Sequence, residues 1–242
     1  MELDVFFTPE DLLRTDAREA LAGASTVVID VLRASTTLIY AASAGAGPIH
    51  IVAEPEDALS LRDEYGDSIL LCGERDGLII PGFDLGNSPG DYTRSRIGGR
   101  RLAFCSTNGS RTILSAAASD EVLIGGFVNL PAIVDELRRA EKAVLLCSGK
   151  LGRFCIEDAA CAGMIIDRLA GEGCAVRVAG DSARLSHWLF ERYLGNPEET
   201  LFQSEHPRYL AGELGLQEDV AVCTAVGTRS AVPRFSGGIV EI

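Results

Sequence analysis

Short apolar runs alternate with longer stretches of helical periodicity along nearly the whole chain. The short runs are rich in Val, Ile and Leu and end at Gly, Pro or charged residues, which is the pattern of buried strands. They predict strands at residues 26–31, 49–53, 69–72, 101–105, 121–125, 143–147, 175–179 and 220–223. The stretches between them predict helices at residues 9–22, 34–45, 55–64, 109–118, 130–140, 156–170, 182–193 and 206–214.

The alternation of strands and helices predicts the α/β class, because parallel strands are joined by helical crossovers. We therefore expect a three-layer α/β/α fold with a mainly parallel, or mixed, sheet. A chain of 242 residues is long enough to bury a large core. One domain over residues 1–242 is the default prediction, and a division near residue 175 is the alternative.

The interval 72–99 does not follow this alternation. Its sequence, CGERDGLIIPGFDLGNSPGDYTRSRIGG, is rich in Gly and Pro and has no lasting periodicity. Loops of this length inside a compact domain are either disordered or functional. The apolar residues Leu78, Ile80 and Phe83 favour an ordered loop, so the sequence predicts an active-site insertion here.

Polar loops follow three of the predicted strands, at residues 29–37, 104–112 and 146–158. In open α/β sheets, ligands bind outside the carboxyl ends of the strands, where loop amides and helix N-termini converge. Each loop also contains one arginine, whose planar guanidinium group matches phosphate, sulfonate or carboxylate. We therefore predict an anion site to which the three loops contribute Arg33, Arg111 and Arg153.

The same loops and the insertion also contain acids, namely Asp30, Glu74, Asp84, Glu157 and Asp158. Acids beside an anion site repel the ligand unless a cation lies between them. Mg²⁺ meets this need, because it binds protein carboxylates and bridges to phosphate oxygens. Asp30 ends an apolar strand, where a buried unpaired carboxylate is costly, and its alternative partner is Arg33. Glu157 and Asp158 can instead be the acidic first turn of a helix.

Composition narrows the partners and the cellular location. The formal charge of −13 argues against nucleic acid and against anionic membranes as partners. We expect a soluble, unprocessed protein, because no apolar run reaches about 18 residues and the first residues lack a basic region followed by a hydrophobic one. Seven cysteines among apolar neighbours predict reduced thiols and a cytoplasmic protein. The sequence leaves open whether the protein forms a homo-oligomer. The three histidines are scattered, and we interpret His50, His187 and His206 as structural.

A different chemistry fits two of the loops. Cys105 to Arg111 and Cys147 to Arg153 both match C-x5-R, the loop of cysteine-dependent phosphatases. In those enzymes a thiolate attacks phosphorus and no metal is needed. A third hypothesis is a non-catalytic module that senses anions.

Five segments resemble, in the same order, segments of one family, the 2-phosphosulfolactate phosphatases of coenzyme M biosynthesis. The segments are VVIDVLRASTT, GERDGLIIPGFDLGNSP, STNGSRTI, IGGFVNLPAI and CSGKLGRFCIEDAACAG, and together they span residues 27–163. The resemblance implies a Mg²⁺-dependent phosphatase with an α/β fold that acts on a small anionic 2-phosphoester. The first motif of this resemblance contains Asp30 and Arg33, and the last motif contains Glu157 and Asp158.

The loops and the resemblance combine into one hypothesis, the hydrolysis of a phosphomonoester, most simply 2-phosphosulfolactate. Mg²⁺ is expected on Asp30 with Glu74 and either Glu157 or Asp158. Arg33, Arg111 and Arg153 are expected to share the phosphate and the second anionic group of the substrate. Asp30 as the attacking carboxylate and an activated water both stay open. The predicted substrate-binding residues are Ser35, Thr36, Asn87, Thr107, Asn108, Gly109 and Ser110.

Overall fold

The computed structural model of the chain describes residues 1–13, 16–193 and 204–241. It contains one large mixed sheet with helices packed against it. The strands are β1 Glu2–Phe6, β2 Ser25–Ile29, β3 Ile49–Val52, β4 Ile69–Arg75, β5 Leu78–Ile79, β6 Arg101–Cys105, β7 Glu121–Gly125, β8 Lys142–Cys147, β9 Arg177–Val178, β10 Arg234–Ser236 and β11 Ile239–Glu241.

The α-helices alternate with the parallel strands. They are α1 Pro9–Leu13, α2 Ala17–Leu21, α3 Ala34–Ser43, α4 Pro55–Tyr65, α5 Arg94–Ile97, α6 Gly109–Ser115, α7 Leu130–Leu137, α8 Ile156–Gly171 and α9 Gly180–Tyr193. Two further helices, Glu205–Arg208 and Gln217–Thr224, flank a π-helical turn at Tyr209–Glu213. The α/β class predicted from the sequence is therefore confirmed, with a sheet that is mostly parallel but mixed.

The sheet consists of two parallel blocks joined by a hairpin. Its strand order is β5-β4-β6-β3-β11-β10-β7-β2-β8-β1-β9. The strands β4, β6 and β3 form one parallel block, and β7, β2, β8, β1 and β9 form the other. The β10–β11 hairpin lies between them, and all three of its pairings are antiparallel. Three successive reversals make the two blocks run in opposite directions along the sheet.

One face of each block contributes to a shared core layer. This layer contains Val28 from β2 together with Ile51 and Phe104 from the other block, and α3 and α6 add Leu38 and Ile113 to it. Opposite strand directions would place the carboxyl ends of the two blocks at opposite edges of a flat sheet. The residues just after β2 and β6 are nevertheless close, since a Cβ at Gly109 would lie 2.4 Å from the Cβ of Ala34, so the sheet between them is not flat.

The outer faces of the two blocks carry separate cores. In β2, Val27 belongs to the outer core and Val28 to the shared layer, as expected for a strand whose side chains alternate between two covered faces. Helix α8 covers the outer face of that block with residues such as Ile165. Burial on both faces explains why the central strands are continuous apolar runs.

Most of the predicted elements occur with shifted ends, but several predictions are wrong. Residues 220–223 form part of the helix Gln217–Thr224 rather than a strand, and its buried residues Val220 and Cys223 have helical spacing. Strands β1, β5, β10 and β11 were not predicted. The helix expected at 9–22 is described as two short helices, and residues 14–15 lie outside the described residues. The sheet contains strands from both sides of residue 175, and the number of domains stays a prediction.

No helix among the described residues is long and apolar enough to cross a membrane.

Replacing Gly163 by alanine tests the packing of α8 against α9. A Cβ at Gly163 would lie 2.0 Å from the backbone oxygen of Ser186, so Gly163→Ala should lower the free energy of unfolding by about 1–3 kcal/mol. In the same helix, a Cβ at Gly171 meets no atom within 4 Å, so Gly171→Ala is the matched control and should stabilise by at most about 1 kcal/mol. Chemical denaturation of both variants measures the difference, and equal stabilities would contradict this packing.

Candidate functional site

The loops after β2, β4, β6 and β8 meet around a cavity of about 240 Å³, which we call the central cavity. Residues that follow β9 close it, from the helix Glu205–Arg208 and the π-helical turn. Its wall is formed by Asp30, Leu32, Arg33, Glu74, Asp76, Gly77, Asn87, Thr107, Asn108, Lys150, Leu151, His206, Tyr209 and Leu210.

Asp158 joins the first loop to the third. Its Oδ1 accepts the backbone N–H of Val31 at 2.9 Å, and its Oδ2 accepts that of Gly149 at 3.0 Å. The residue lies in the first turn of α8 and is buried. One carboxylate thus fixes the relative position of the loops after β2 and β8.

Glu74 joins the insertion to the second loop in the same way. Its Oε1 accepts the backbone N–H of Thr107 at 2.7 Å, and its Oε2 accepts that of Gly77 at 2.8 Å. Strand β4 continues to Arg75, so Glu74 lies at the end of a strand rather than in a free loop. In contrast, Asp84 accepts the backbone N–H of Leu71 at 2.8 Å and pairs with Arg62 away from the cavity.

Asp30 directly follows β2 and lies in the wall of the central cavity. Its Oδ1 accepts the backbone N–H of Ala34 at 3.1 Å, in the first turn of α3. A Cβ at Gly109 would lie 2.7 Å from Asp30 Oδ2 and 2.4 Å from the Cβ of Ala34. Glycine at position 109 therefore lets the start of α6 approach Asp30 closely.

The buried acids perturb one another. The pKa of Asp30 is raised to about 6, mainly by burial and also by Glu74 and Glu157, whereas the Ala34 hydrogen bond and His206 act in the opposite direction. Burial, together with Asp30 and Glu157, raises the pKa of Asp158 well above its usual value. Negative charge at this place is therefore only partly compensated by the protein.

Arg33 lies in the cavity wall but its guanidinium group is already paired. Nη1 donates to Asp219 Oδ2 at 2.5 Å and to Ser88 Oγ at 3.2 Å, and Nη2 donates to the backbone oxygen of Gly77 at 2.7 Å. The partner of Arg33 is thus Asp219 in the helix Gln217–Thr224, and not Asp30 as the sequence allowed.

The expected convergence of three arginines does not occur. Arg111 is 57% exposed and pairs with Glu54, and Arg153 lines a neighbouring cavity. Their loops do meet, but their side chains leave in other directions. The central cavity contains Lys150 instead, whose Nζ lies 4.3 Å from the centroid of the Tyr209 ring.

The predicted substrate-binding side chains fall into two sets. Thr107 and Asn108 line the central cavity. The hydroxyl groups of Ser35, Thr36 and Ser110 are buried and hydrogen-bond to backbone atoms of their own loops. These three side chains therefore stabilise the loops that present the others.

Asn87 carries a buried polar atom without a partner. Its Oδ1 makes no hydrogen bond to any described residue, although the residue is 4% exposed and lines the central cavity. Its backbone oxygen accepts the hydroxyl of Thr37 at 3.0 Å, which fixes the loop. An unpaired buried amide is costly unless a ligand pairs with it, so Asn87 is well placed for a bound polar molecule.

The two cysteines of the C-x5-R loops belong to the core. Cys105 and Cys147 are buried and line no part of the central cavity. Burial raises the pKa of Cys105, although Arg75, whose Nη2 lies 3.3 Å from the sulfur, acts in the opposite direction. Burial also raises the pKa of Cys147 well above its usual value. Both thiols are thereby kept protonated, which is unfavourable for nucleophilic attack.

Sequence reasoning missed His206, Lys150, Tyr209 and Asp219. His206, interpreted as structural, lines the central cavity, and its Nδ1 lies 3.0 Å from Glu157 Oε1. Lys150 lies in the third loop, and its sequence neighbours Gly149 and Gly152 could have indicated it. No spacing pattern in the sequence connects His206 or Asp219 to the three loops.

The chain is similar to proteins of known family. The model of the 2-phosphosulpholactate phosphatase family matches residues 7–238. A probable 2-phosphosulfolactate phosphatase from Symbiobacterium thermophilum is 41% identical over 226 residues, which cover 93% of this chain and 96% of that protein. Another from Thermotoga petrophila is 37% identical over 213 residues, or 88% and 89% of the two chains.

These matches cover almost the whole chain, including the loops that form the central cavity and the C-terminal segment that closes it. They confirm the prediction that the chain is an enzyme of the phosphoric monoester hydrolase class, and they count against a non-catalytic module. The chain belongs to the 2-phosphosulfolactate phosphatase family.

Proposed function

We propose that this chain hydrolyses 2-phosphosulfolactate to sulfolactate and phosphate in the central cavity, with Mg²⁺ as cofactor. The observation that carries the proposal is the set of buried carboxylates around that cavity. The names of the family and of its relatives support the substrate. Cytoplasmic location and a role in coenzyme M biosynthesis remain part of the proposal.

The donor atoms around the cavity are of the chemical type that suits Mg²⁺. Asp30 and Glu74 line the central cavity, and Glu157 and Asp158 lie beside it. All four offer oxygen atoms, which Mg²⁺ prefers. Asp30 and Asp158 have raised pKa values because burial and like charges oppose their ionisation, and Arg33 is already paired with Asp219. We propose that Asp30 and Glu74, with Glu157 or Asp158, hold the ion, which when bound would neutralise the phosphoryl oxygens.

The protein groups of the cavity have separate tasks in this proposal. Asn108 binds the phosphate through its backbone and side-chain N–H groups, and Asp30 lies next to it. Thr107 holds Glu74 in place, because its N–H and its hydroxyl both donate to that carboxylate. Lys150 pairs with the sulfonate or carboxylate of the substrate, because it is a cation of the wall that contacts an aromatic ring rather than an acid. Asn87 orients the substrate through its unpaired amide. Such positioning and charge stabilisation supply most of the catalysis in phosphoryl transfer.

Removal of the Asp30 charge tests the role of the carboxylate set. Asp30→Asn should lower kcat for 2-phosphosulfolactate by at least about 100-fold, equivalent to about 3 kcal/mol of barrier. EDTA should abolish turnover by the wild-type chain, and added Mg²⁺ should restore it. Asp63→Asn, which changes an exposed aspartate in α4, is the matched control and should be unaffected. Turnover that survives EDTA but is lost in Cys105→Ser would favour the thiol mechanism.

A comparison of Lys150 and Arg111 tests which cation binds the anionic group of the substrate. Lys150→Met should raise KM by about 10- to 100-fold with a smaller effect on kcat, because a desolvated charged hydrogen bond contributes about 1.5–3 kcal/mol. Arg111→Met removes an exposed cation paired with Glu54 and should change KM by less than about threefold. If Arg111→Met has the larger effect, the assignment of Lys150 is wrong.

The raised pKa of Asp30 predicts a pH-dependent stability in EDTA. An acid whose pKa rises on folding binds its proton more tightly in the folded state. The free energy of unfolding should therefore be highest near pH 4, fall as the pH rises toward about 6, and stay constant above pH 6. At about 1.4 kcal/mol per pKa unit, Asp30→Asn should gain up to about 3 kcal/mol over the wild-type chain at pH 8. Near pH 4 the two should be similar.

Thermal unfolding across this pH range measures the difference, and Asp63→Asn again serves as control. A variant that is no more stable than the wild-type chain at pH 8 would show that the buried charge of Asp30 is already compensated.

A further inference from the structure

A second cavity of about 600 Å³ adjoins the central cavity. The two share Lys150, Leu151 and His206 in their walls. Cys155 and Glu157 also line the second cavity. One ligand atom each from Cys155, Glu157 and His206 lies within 4.8 Å of the others. Cys155 has no part in the phosphatase proposal.

The fold holds these three side chains in place from two directions. Cys155 immediately precedes α8 and Glu157 lies in its first turn, while His206 comes from the helix Glu205–Arg208. His206 Nδ1 lies 3.0 Å from Glu157 Oε1, and Ser204 Oγ donates to Glu157 Oε2 at 3.3 Å. Two ligands at about 2.0–2.1 Å from one Zn²⁺ ion are roughly 3.3 Å apart in tetrahedral geometry, so the 3.0 Å between His206 Nδ1 and Glu157 Oε1 needs little adjustment.

We propose that Cys155, Glu157 and His206 bind a borderline divalent metal ion of the Zn²⁺ type and that its binding inhibits the phosphatase. The donor set determines the class of metal, because thiolate and imidazole select Zn²⁺ and related ions, whereas Mg²⁺ takes oxygen ligands. Three protein ligands leave a fourth position, and the second cavity gives it access to solvent. Ser204 supplies the outer hydrogen bond that orients a ligating carboxylate.

The proton balance of binding is simple. The metal replaces the S–H bond of Cys155 with an S–metal bond, and the thiol proton goes to solvent. The proton held between His206 Nδ1 and Glu157 Oε1 also leaves this contact, to His206 Nε2 or to solvent, because both side chains become ligands. Inhibition follows from the shared residues. Glu157 is withdrawn from the oxygen ligands proposed for Mg²⁺, and His206, which lines both cavities, is held on the metal. The inhibitory step rests on the proposed function, whereas the binding step does not.

Titration of the metal-free chain with Co²⁺, under anaerobic conditions, tests the binding. We expect one ion per chain, with the near-ultraviolet charge-transfer absorption of a Co²⁺–thiolate bond and the visible bands of a four-coordinate site, both displaced by Zn²⁺. Cys155→Ser should lose the charge-transfer band and bind at least about 10-fold more weakly. Cys174→Ser, which changes another cysteine of the chain, is the matched control and should keep the band.

His206→Gln provides a second variant, which should keep the charge-transfer band, weaken binding and shift the visible bands. Circular dichroism of each metal-free variant shows whether it is folded. A band that persists in Cys155→Ser, or a wild-type chain that gives no thiolate band with excess Co²⁺, would overturn the proposed site.

Turnover assays then test inhibition separately. In Mg²⁺, Cys155→Ser should hydrolyse substrate at the wild-type rate, but should need at least about 10-fold more Zn²⁺ for half inhibition. Equal sensitivity to Zn²⁺ in both chains would overturn the inhibitory role. If the wild-type chain shows no turnover at all, the proposed function fails, and the Co²⁺ spectrum still decides the metal site.

Discussion

The site depends on the burial of four carboxylates in one small region. A buried charge is costly unless hydrogen bonds or an opposite charge compensate it. Here backbone amides supply the hydrogen bonds. Asp158 accepts from the N–H groups of Val31 and Gly149, and Glu74 accepts from those of Gly77 and Thr107. These hydrogen bonds link the loops of four strands, so the groups that compensate the charge also fix the geometry of the cavity.

The C-terminal part of the chain makes this meeting of loops possible. The hairpin of β10 and β11 reverses the direction of one parallel block relative to the other, and the two blocks share one core layer. Two C-terminal segments then close the cavity. In the first, His206 contacts Glu157, and in the second, Asp219 pairs with Arg33. The buried Arg33–Asp219 pair fastens the C-terminal helix to the first loop, and loss of Asp219 would leave a buried guanidinium group unpaired.

The sequence predicted those parts of the fold that follow from local pattern. Strands buried on two faces are continuous apolar runs, and β2 and β8 were recognised for this reason. The VAVC run at 220–223 looked the same but is helical, because burial of every third or fourth residue cannot be told from a short strand in four residues. The β10–β11 hairpin was missed although its turn, Gly237-Gly238, has positive φ at both positions and is typical of a two-residue hairpin.

The candidate site was predictable as far as backbone position determines it. Asp30, Glu74, Thr107 and Asn108 line the central cavity because each lies at or just after the end of a strand. Arginine side chains are long, and their direction depends on which acids are near, so Arg111 turned to Glu54. His206 and Asp219 come from distant sequence, and only the folded sheet brings them to the loops.

The balance of charge in the cavity has a consequence for binding. Arg33 is neutralised by Asp219, and Lys150 shares the described wall with the acids Asp30, Glu74 and Asp76. A chain of net charge −13 adds an unfavourable field for any anion. Without a dication the cavity therefore has no surplus of positive charge to hold a polyanionic phosphoester. If a dication binds the carboxylates as proposed, substrate and metal must strengthen each other's binding by the same factor, because such coupling is reciprocal.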